Sequence, residues 1–280
     1  MSQDGGHTAA RLELGDLTVA FGGVQALCGV TLEVEPGAVV GLIGPNGSGK
    51  TTLLDAISGI VAPRRGSIRL DDVDLGDYIP EERAGLGIVR SFQDCTLYPE
   101  LTVHDTLMLC EDARRPVSVI TTTLQLPWAR TAEREKRRAV DEVIASFGLG
   151  RFRQHLTGHL STGTRRVVDL ASIVLARPRL LLLDEPTAGI AQREAEAFVP
   201  LLRKLHEVTG CTIVLVEHDV PLTFELCPVV HVMQSGSVVA TGSPAELRQD
   251  PRAIAAYLGA SDEAISVSGP LGGLGGLAGP

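Results

Sequence analysis

Apolar and polar positions alternate from Leu12-Glu13-Leu14 through Phe21 and again from Ala26 through Val34. This pattern predicts two β-strands joined by a turn at Gly22-Gly23. A strand around Ile68-Arg69-Leu70 would complete an antiparallel layer. Farther on the pattern changes: Leu180-Leu181-Leu182-Leu183 and Thr212-Ile213-Val214-Leu215-Val216 are almost continuously apolar. Strands of that kind are parallel and buried on both faces. A helical stretch from Arg193 to Val208 separates them, and residues from Leu101 to about Phe147 have a mostly helical pattern. Within the latter, the charged run 132–138 is expected to face solvent on an amphipathic helix. No internal repeat is visible. The elements together predict an α/β fold with a parallel sheet, an antiparallel β layer and a mostly helical middle.

Composition narrows the function classes. With 280 residues and 44% hydrophobic content the chain can bury a full core. Its net charge of −9 argues against broad attraction to nucleic acid or an anionic membrane surface. The five cysteines, Cys28, Cys95, Cys110, Cys211 and Cys227, are scattered without C-x-x-C spacing, which suits reduced thiols in a cytosolic protein. No run of 18 uncharged apolar residues exists, and the N-terminus lacks a basic segment followed by an apolar one. Neither a membrane span nor a signal peptide is expected. Residues 1–9 and 261–280, the latter glycine-rich, have no helical or strand period and are expected to be disordered tails around a domain of residues 10–260.

The chemistry starts after the apolar run Val39-Val40-Gly41-Leu42-Ile43. There Gly44-Pro45-Asn46-Gly47-Ser48-Gly49-Lys50-Thr51 fills the pattern G-x-x-x-x-G-K-[ST]. Glycines let successive N–H groups turn inward toward phosphate oxygens, and the helix that follows through Thr52, Leu53 and Leu54 offers its positive end. Lys50 can reach the β- and γ-phosphates and Thr51 can place its hydroxyl on Mg²⁺; Gly59 can close the helix in a left-handed conformation. The chain is therefore expected to bind a nucleoside triphosphate. Asp184 and Glu185 leave the four-leucine strand at its C-terminal end, where open α/β sheets bind ligands. One carboxylate can hold Mg²⁺ while the other polarises a water. His218 leaves the next strand in the same way, and Asp219 can cap the helix that Pro221 enters.

These residues resemble the ATP-binding cassette ATPases, from about residue 12 to 259. The resemblance implies a P-loop core with a mixed, largely parallel sheet, an antiparallel β layer and an inserted helical subdomain at about residues 94–166. It also implies the cofactors ATP and Mg²⁺, with Gly44 to Thr52 as phosphate loop, Asp184 as metal ligand, Glu185 as catalytic glutamate and His218 as switch histidine. Gln93, in Ser91-Phe92-Gln93-Asp94, falls where the family contacts Mg²⁺ and the attacking water, and Phe21 where a ring stacks on adenine. Leu160-Ser161-Thr162-Gly163-Thr164 sits where the family signature reads Leu-Ser-Gly-Gly-Gln, so Ser161 and Gly163 would face a phosphate while Thr162 and Thr164 depart from the pattern. Ala191 likewise stands where the family usually has an aspartate.

The family implies a dimer, of like or different ATPase chains, working with membrane permease subunits at the cytoplasmic face of the cell membrane, and no nucleic-acid partner. Leu97, Tyr98 and Leu101 are candidates to meet a permease helix. Three features look like the importers of branched-chain amino acids and their urea and amide relatives: Ser91-Phe92-Gln93 leading to Leu101-Thr102-Val103, the insert from about Arg114 to Arg130, and the ending around Ala240 to Leu247 and Ala256 to Gly259. An external solute-binding protein would then belong to the assembled system. Lipopolysaccharide-export ATPases are a second reading, and soluble ATPases of DNA maintenance a third. The third class inserts long coiled coils between loop and signature, whereas no sustained heptads separate Lys50 from Ser161 here.

Overall fold

The computed structural model describes residues 8–91, 97–114, 127–189 and 192–258. Strands β1 (Leu12–Phe21) and β2 (Val24–Val34) form an antiparallel hairpin, extended by β4 (Arg65–Leu70) and β5 (Val73–Asp74) in the order β2-β1-β4-β5. A second sheet has the order β10-β9-β3-β8-β7-β6, built from β3 (Val39–Ile43), β6 (Ile88–Ser91), β7 (Leu180–Asp184), β8 (Thr212–Val216), β9 (Val229–Gln234) and β10 (Ser237–Gly242). Its strands run parallel except for β10 at the edge.

The continuous apolar runs have a simple cause. Successive side chains point to opposite faces. On β7, Leu180 and Leu182 enter a core shared with the antiparallel layer and helix α1 (Lys50–Ser58), whereas Leu181 and Leu183 enter a core shared with the helices on the other face. Both cores remove these side chains from water almost completely, and each fully buried leucine contributes about 1.5–3 kcal/mol. The residues at the C-terminal ends of β3, β7 and β8 are thereby fixed against a rigid base.

The helices of the second core are α3 (Val103–Arg114), α4 (Pro127–Ser146), α5 (Thr162–Ala176) and α6 (Gln192–Thr209). The charged run on α4 differs from the sequence expectation at one residue. Arg137 and Arg138 do pair along the solvent face with Glu133 and Glu142, but Lys136 is buried and its ammonium pairs with Asp112 on α3. Lys136 lies four residues before Val140 and seven before Val143, on the inward stripe, so helical spacing overrides its charge. Gly59 closes α1 at φ +84°, as its position suggested. The remaining short helices are α2 (Pro80–Gly85), α7 (Val220–Leu226), α8 (Pro244–Leu247) and α9 (Pro251–Leu258). No helix among the described residues is long and apolar enough to cross a membrane.

Candidate functional site

Strand β3 ends inside the six-stranded sheet and opens directly into the glycine loop. Gly44 and Gly49 have φ of +151° and +103°, and a Cβ on them would lie 2.1 Å from the Met233 carbonyl oxygen and 2.6 Å from that of Ala26. Any larger residue would push the loop off its base. Gly49 caps α1 without a side-chain acceptor, and no acidic residue occupies the first turn. The helix therefore presents bare N–H groups and the positive end of its dipole to the loop. Ser48 Oγ is buried there without a hydrogen-bond partner.

Lys50 is buried, and its Nζ donates to the carbonyls of Gly44 at 2.8 Å and Pro45 at 3.0 Å. Burial pushes its pKa down, while Glu185 and Asp184 oppose that shift by their charge. Thr51 is exposed and Thr52 half-buried on the first turn of α1.

Asp184 ends β7 opposite Val216 on β8, and the Glu185 N–H continues the ladder with a 2.9 Å bond to the Val216 carbonyl. Glu185 then takes a left-handed conformation at φ +49°, uncommon for a residue with a Cβ. Its Oε1 lies 2.5 Å from His218 Nε2. Two parallel strand ends thus bring together residues 33 positions apart. Asp184 is almost wholly buried; burial raises its pKa and the Arg90 guanidinium works against that rise. Asp184 Oδ2 accepts from Arg90 at 2.8 Å, whereas Oδ1 is buried with no hydrogen-bond partner.

Two participants were not singled out in the sequence. Arg90 on β6 also reaches Asp55 and Ser58 on α1, at 2.5 Å and 3.3 Å. The buried Glu217 carboxylate accepts from Thr187 N at 2.9 Å and Thr187 Oγ1 at 2.7 Å through one oxygen, and from His218 N at 3.2 Å through the other. It ties the loop after Glu185 to the loop that carries His218, and burial raises its pKa. The available signal was a charge inside or beside an otherwise apolar strand, since an unpartnered charge there would be costly.

The other expected site residues are more dispersed. Phe21 ends β1 with 52% of its surface exposed. Ser161 is the N-cap of α5: its Oγ accepts from Thr164 N at 3.2 Å and lies 2.9 Å from Thr164 Oγ1. Gly163 follows in the first turn. No hydrogen bond or ion pair among the described residues joins Ser161 or Gly163 to the glycine loop. Gln93 and Ala191 lie outside the described residues. Of the three candidates for permease contact, Leu97 packs against the helical core, Leu101 is half-buried and Tyr98 is exposed. Asp219 caps α7 by accepting from Leu222 N, as its place before Pro221 suggested.

Residues 27–188 match the family described as ABC transporter, and residues 237–263 one described as branched-chain amino acid ATP-binding cassette transporter. The chain is 34% identical over 248 residues to the high-affinity branched-chain amino acid transport ATP-binding protein BraF of Pseudomonas aeruginosa, covering 89% of this chain and 97% of that one. It is 32% identical to LivG of Escherichia coli with the same coverage. The lipopolysaccharide export system ATP-binding protein LptB of Haemophilus influenzae is 29% identical, at 87% and 95% coverage. Among solved structures, the ADP conformation of the ATP-binding cassette MJ1267 superposes with a TM-score of 0.75, 27% identity, and coverage of 90% and 100%. The dimeric bacterial cassette MJ0796 gives 0.68, 26%, and 83% and 98%.

Proposed function

The chain belongs to the ABC transporter family as an ATP-binding subunit, and we propose that it hydrolyses ATP to drive import of branched-chain amino acids or related small solutes through separate membrane permeases. The observation that carries the catalytic part is the Glu185–His218 pair at 2.5 Å, set at two adjacent parallel strand ends beside Lys50. The importer reading is supported by the relatives BraF and LivG and by the C-terminal match at residues 237–263. The export reading has less support, since LptB is the more distant relative.

The residues divide the work by position. The glycine loop and the bare end of α1 bind phosphate oxygens, and Lys50 exchanges its two carbonyl partners for the β- and γ-phosphates. Phe21, exposed at the end of β1, is available to stack on adenine. The donor set fits Mg²⁺: Asp184 has a buried oxygen without a partner and Thr51 an exposed hydroxyl, and Gln93 would join them. When bound, the metal neutralises charge on the β- and γ-oxygens. Glu185 orients and polarises the attacking water, and His218 fixes the Glu185 side chain in the position to do so.

Ser161 and Gly163 face the γ-phosphate held by a second ATPase chain, so the working unit is a dimer, of like or unlike subunits, on the cytoplasmic face of the membrane. The helical subdomain, residues 94–166, meets the permease through exposed Tyr98, and an external solute-binding protein completes the importer.

Glu185→Gln tests the catalytic assignment, because it removes the charge but keeps the shape. Nucleotide binding should stay within about twofold while ATP turnover falls about 100-fold or more, in the range expected for loss of a general base. Phosphate release and equilibrium binding of ATP measure the two. Turnover unchanged in this variant would remove Glu185 from its role.

A further inference from the structure

We propose that Arg90 is a positioning residue for the reaction: its guanidinium fixes one oxygen of Asp184 and thereby reserves the other for the metal. This inference rests on the nucleotide-site reading above and deepens it. Arg90 pairs with Leu182 in the parallel β6–β7 ladder, so Arg90, Leu182 and Asp184 project on the same face of the sheet. That face packs on α1, which supplies Asp55 and Ser58. One side chain therefore joins the helix of the phosphate loop to the strand of the metal carboxylate.

The way the guanidinium is shared decides what remains available. An arginine facing a single carboxylate commonly engages both of its oxygens. Here one nitrogen takes Asp55 Oδ1 at 2.5 Å and another takes Asp184 Oδ2 at 2.8 Å, leaving Asp184 Oδ1 buried and without a partner. The arginine and Asp184 side chains are only 6% and 4% exposed, so water cannot substitute for either charge at low cost. A lysine has a compact ammonium in place of the planar fork and cannot reproduce the split geometry.

A purely structural ion pair would alter the melting temperature and leave metal affinity untouched. The test is a magnesium titration of the full-length chain at fixed ADP, followed by thermal shift, beside ADP binding measured in chelator. For Arg90→Gln the magnesium midpoint should rise about tenfold, the size seen when a residue that orients a metal ligand is lost, with chelator-condition ADP affinity within about twofold. Asp55→Asn should leave the midpoint within about twofold, because the Asp184 contact survives. A midpoint within twofold of the parent in Arg90→Gln overturns the proposal, as does an equal rise in Asp55→Asn. Should Arg90→Gln not fold, Arg90→Lys decides: a rise of threefold or more supports the proposal and a smaller change overturns it. A parent chain with no magnesium-dependent shift would overturn the site reading itself, and the role of Arg90 with it.

Discussion

His231 shows how a single buried side chain sets a pH limit on this protein. It lies on β9, its Nδ1 sits 2.8 Å from Thr241 Oγ1 and its Nε2 is buried without a partner. Burial lowers its pKa from the ordinary 6.5. The unfolded chain therefore takes up a proton near that pH while the folded chain still refuses one, so stability falls as pH drops below 6.5. Asp184 and Glu217, whose pKa values are raised, act in the opposite direction, the folded chain protonating first. The His231→Phe variant should lose part of the decline in melting temperature between pH 7.5 and 5.5, which thermal scans across that range would measure. At this scale the sequence was legible where spacing along the chain is fixed, as for Lys50 and Thr51. It was not legible where a contact depends on strands meeting in space: the Arg90–Asp184 and Thr187–Glu217 pairs join residues 94 and 30 positions apart.

Helix α1 has two unlike ends, and each is explained by what lies beyond it. Its N-terminus is left bare, whereas its C-terminal carbonyls are covered by the buried guanidinium of Arg83 on α2. That group donates to Ala56 O at 2.7 Å, Ile57 O at 2.9 Å, Leu75 O at 2.7 Å and Tyr78 O at 3.0 Å. Ala56 O and Leu75 O retain backbone donors from Gly59 and Tyr78. Arg83→Met should therefore cost about 2–4 kcal/mol, the desolvation of the remaining carbonyls, and urea unfolding would measure it. Among the elements, β1, β2, β7, β8 and α6 could be read because each repeats its pattern over several residues. Strand β6 has only four residues with an arginine among them, β9 carries His231 inside an apolar run, and α2 is a single short stretch opened by Pro80. The burial of Lys136 is hidden in the sequence for a related reason: its neighbours are charged, but its place on the α4 stripe is set by Val140 and Val143.

On the proposed reading the whole molecule holds two half-sites, the phosphate loop with its acidic strand ends and the altered signature at α5. In the signature, Thr164 Oγ1 lies 2.9 Å from Ser161 Oγ, within reach to accept the hydroxyl proton that a facing phosphate would otherwise take. Thr164→Val removes the competitor and should raise ATP turnover in the assembled dimer by about two- to fivefold, equivalent to one modest hydrogen bond. Steady-state phosphate release from reconstituted transporter would measure it. The cassette architecture was legible because its motifs are ordered along one chain. The competition at Ser161 was not, since it depends on side-chain geometry in the first turn of α5. The resting position of Lys50 also bears on the cycle as a whole. Its ammonium is held at 2.8 Å and 3.0 Å by carbonyls of its own loop. On the proposed reading, departing phosphate leaves no stranded cation behind. Product can then exchange for fresh ATP by a swing of one side chain, and the transporter resets between strokes without remaking its loop.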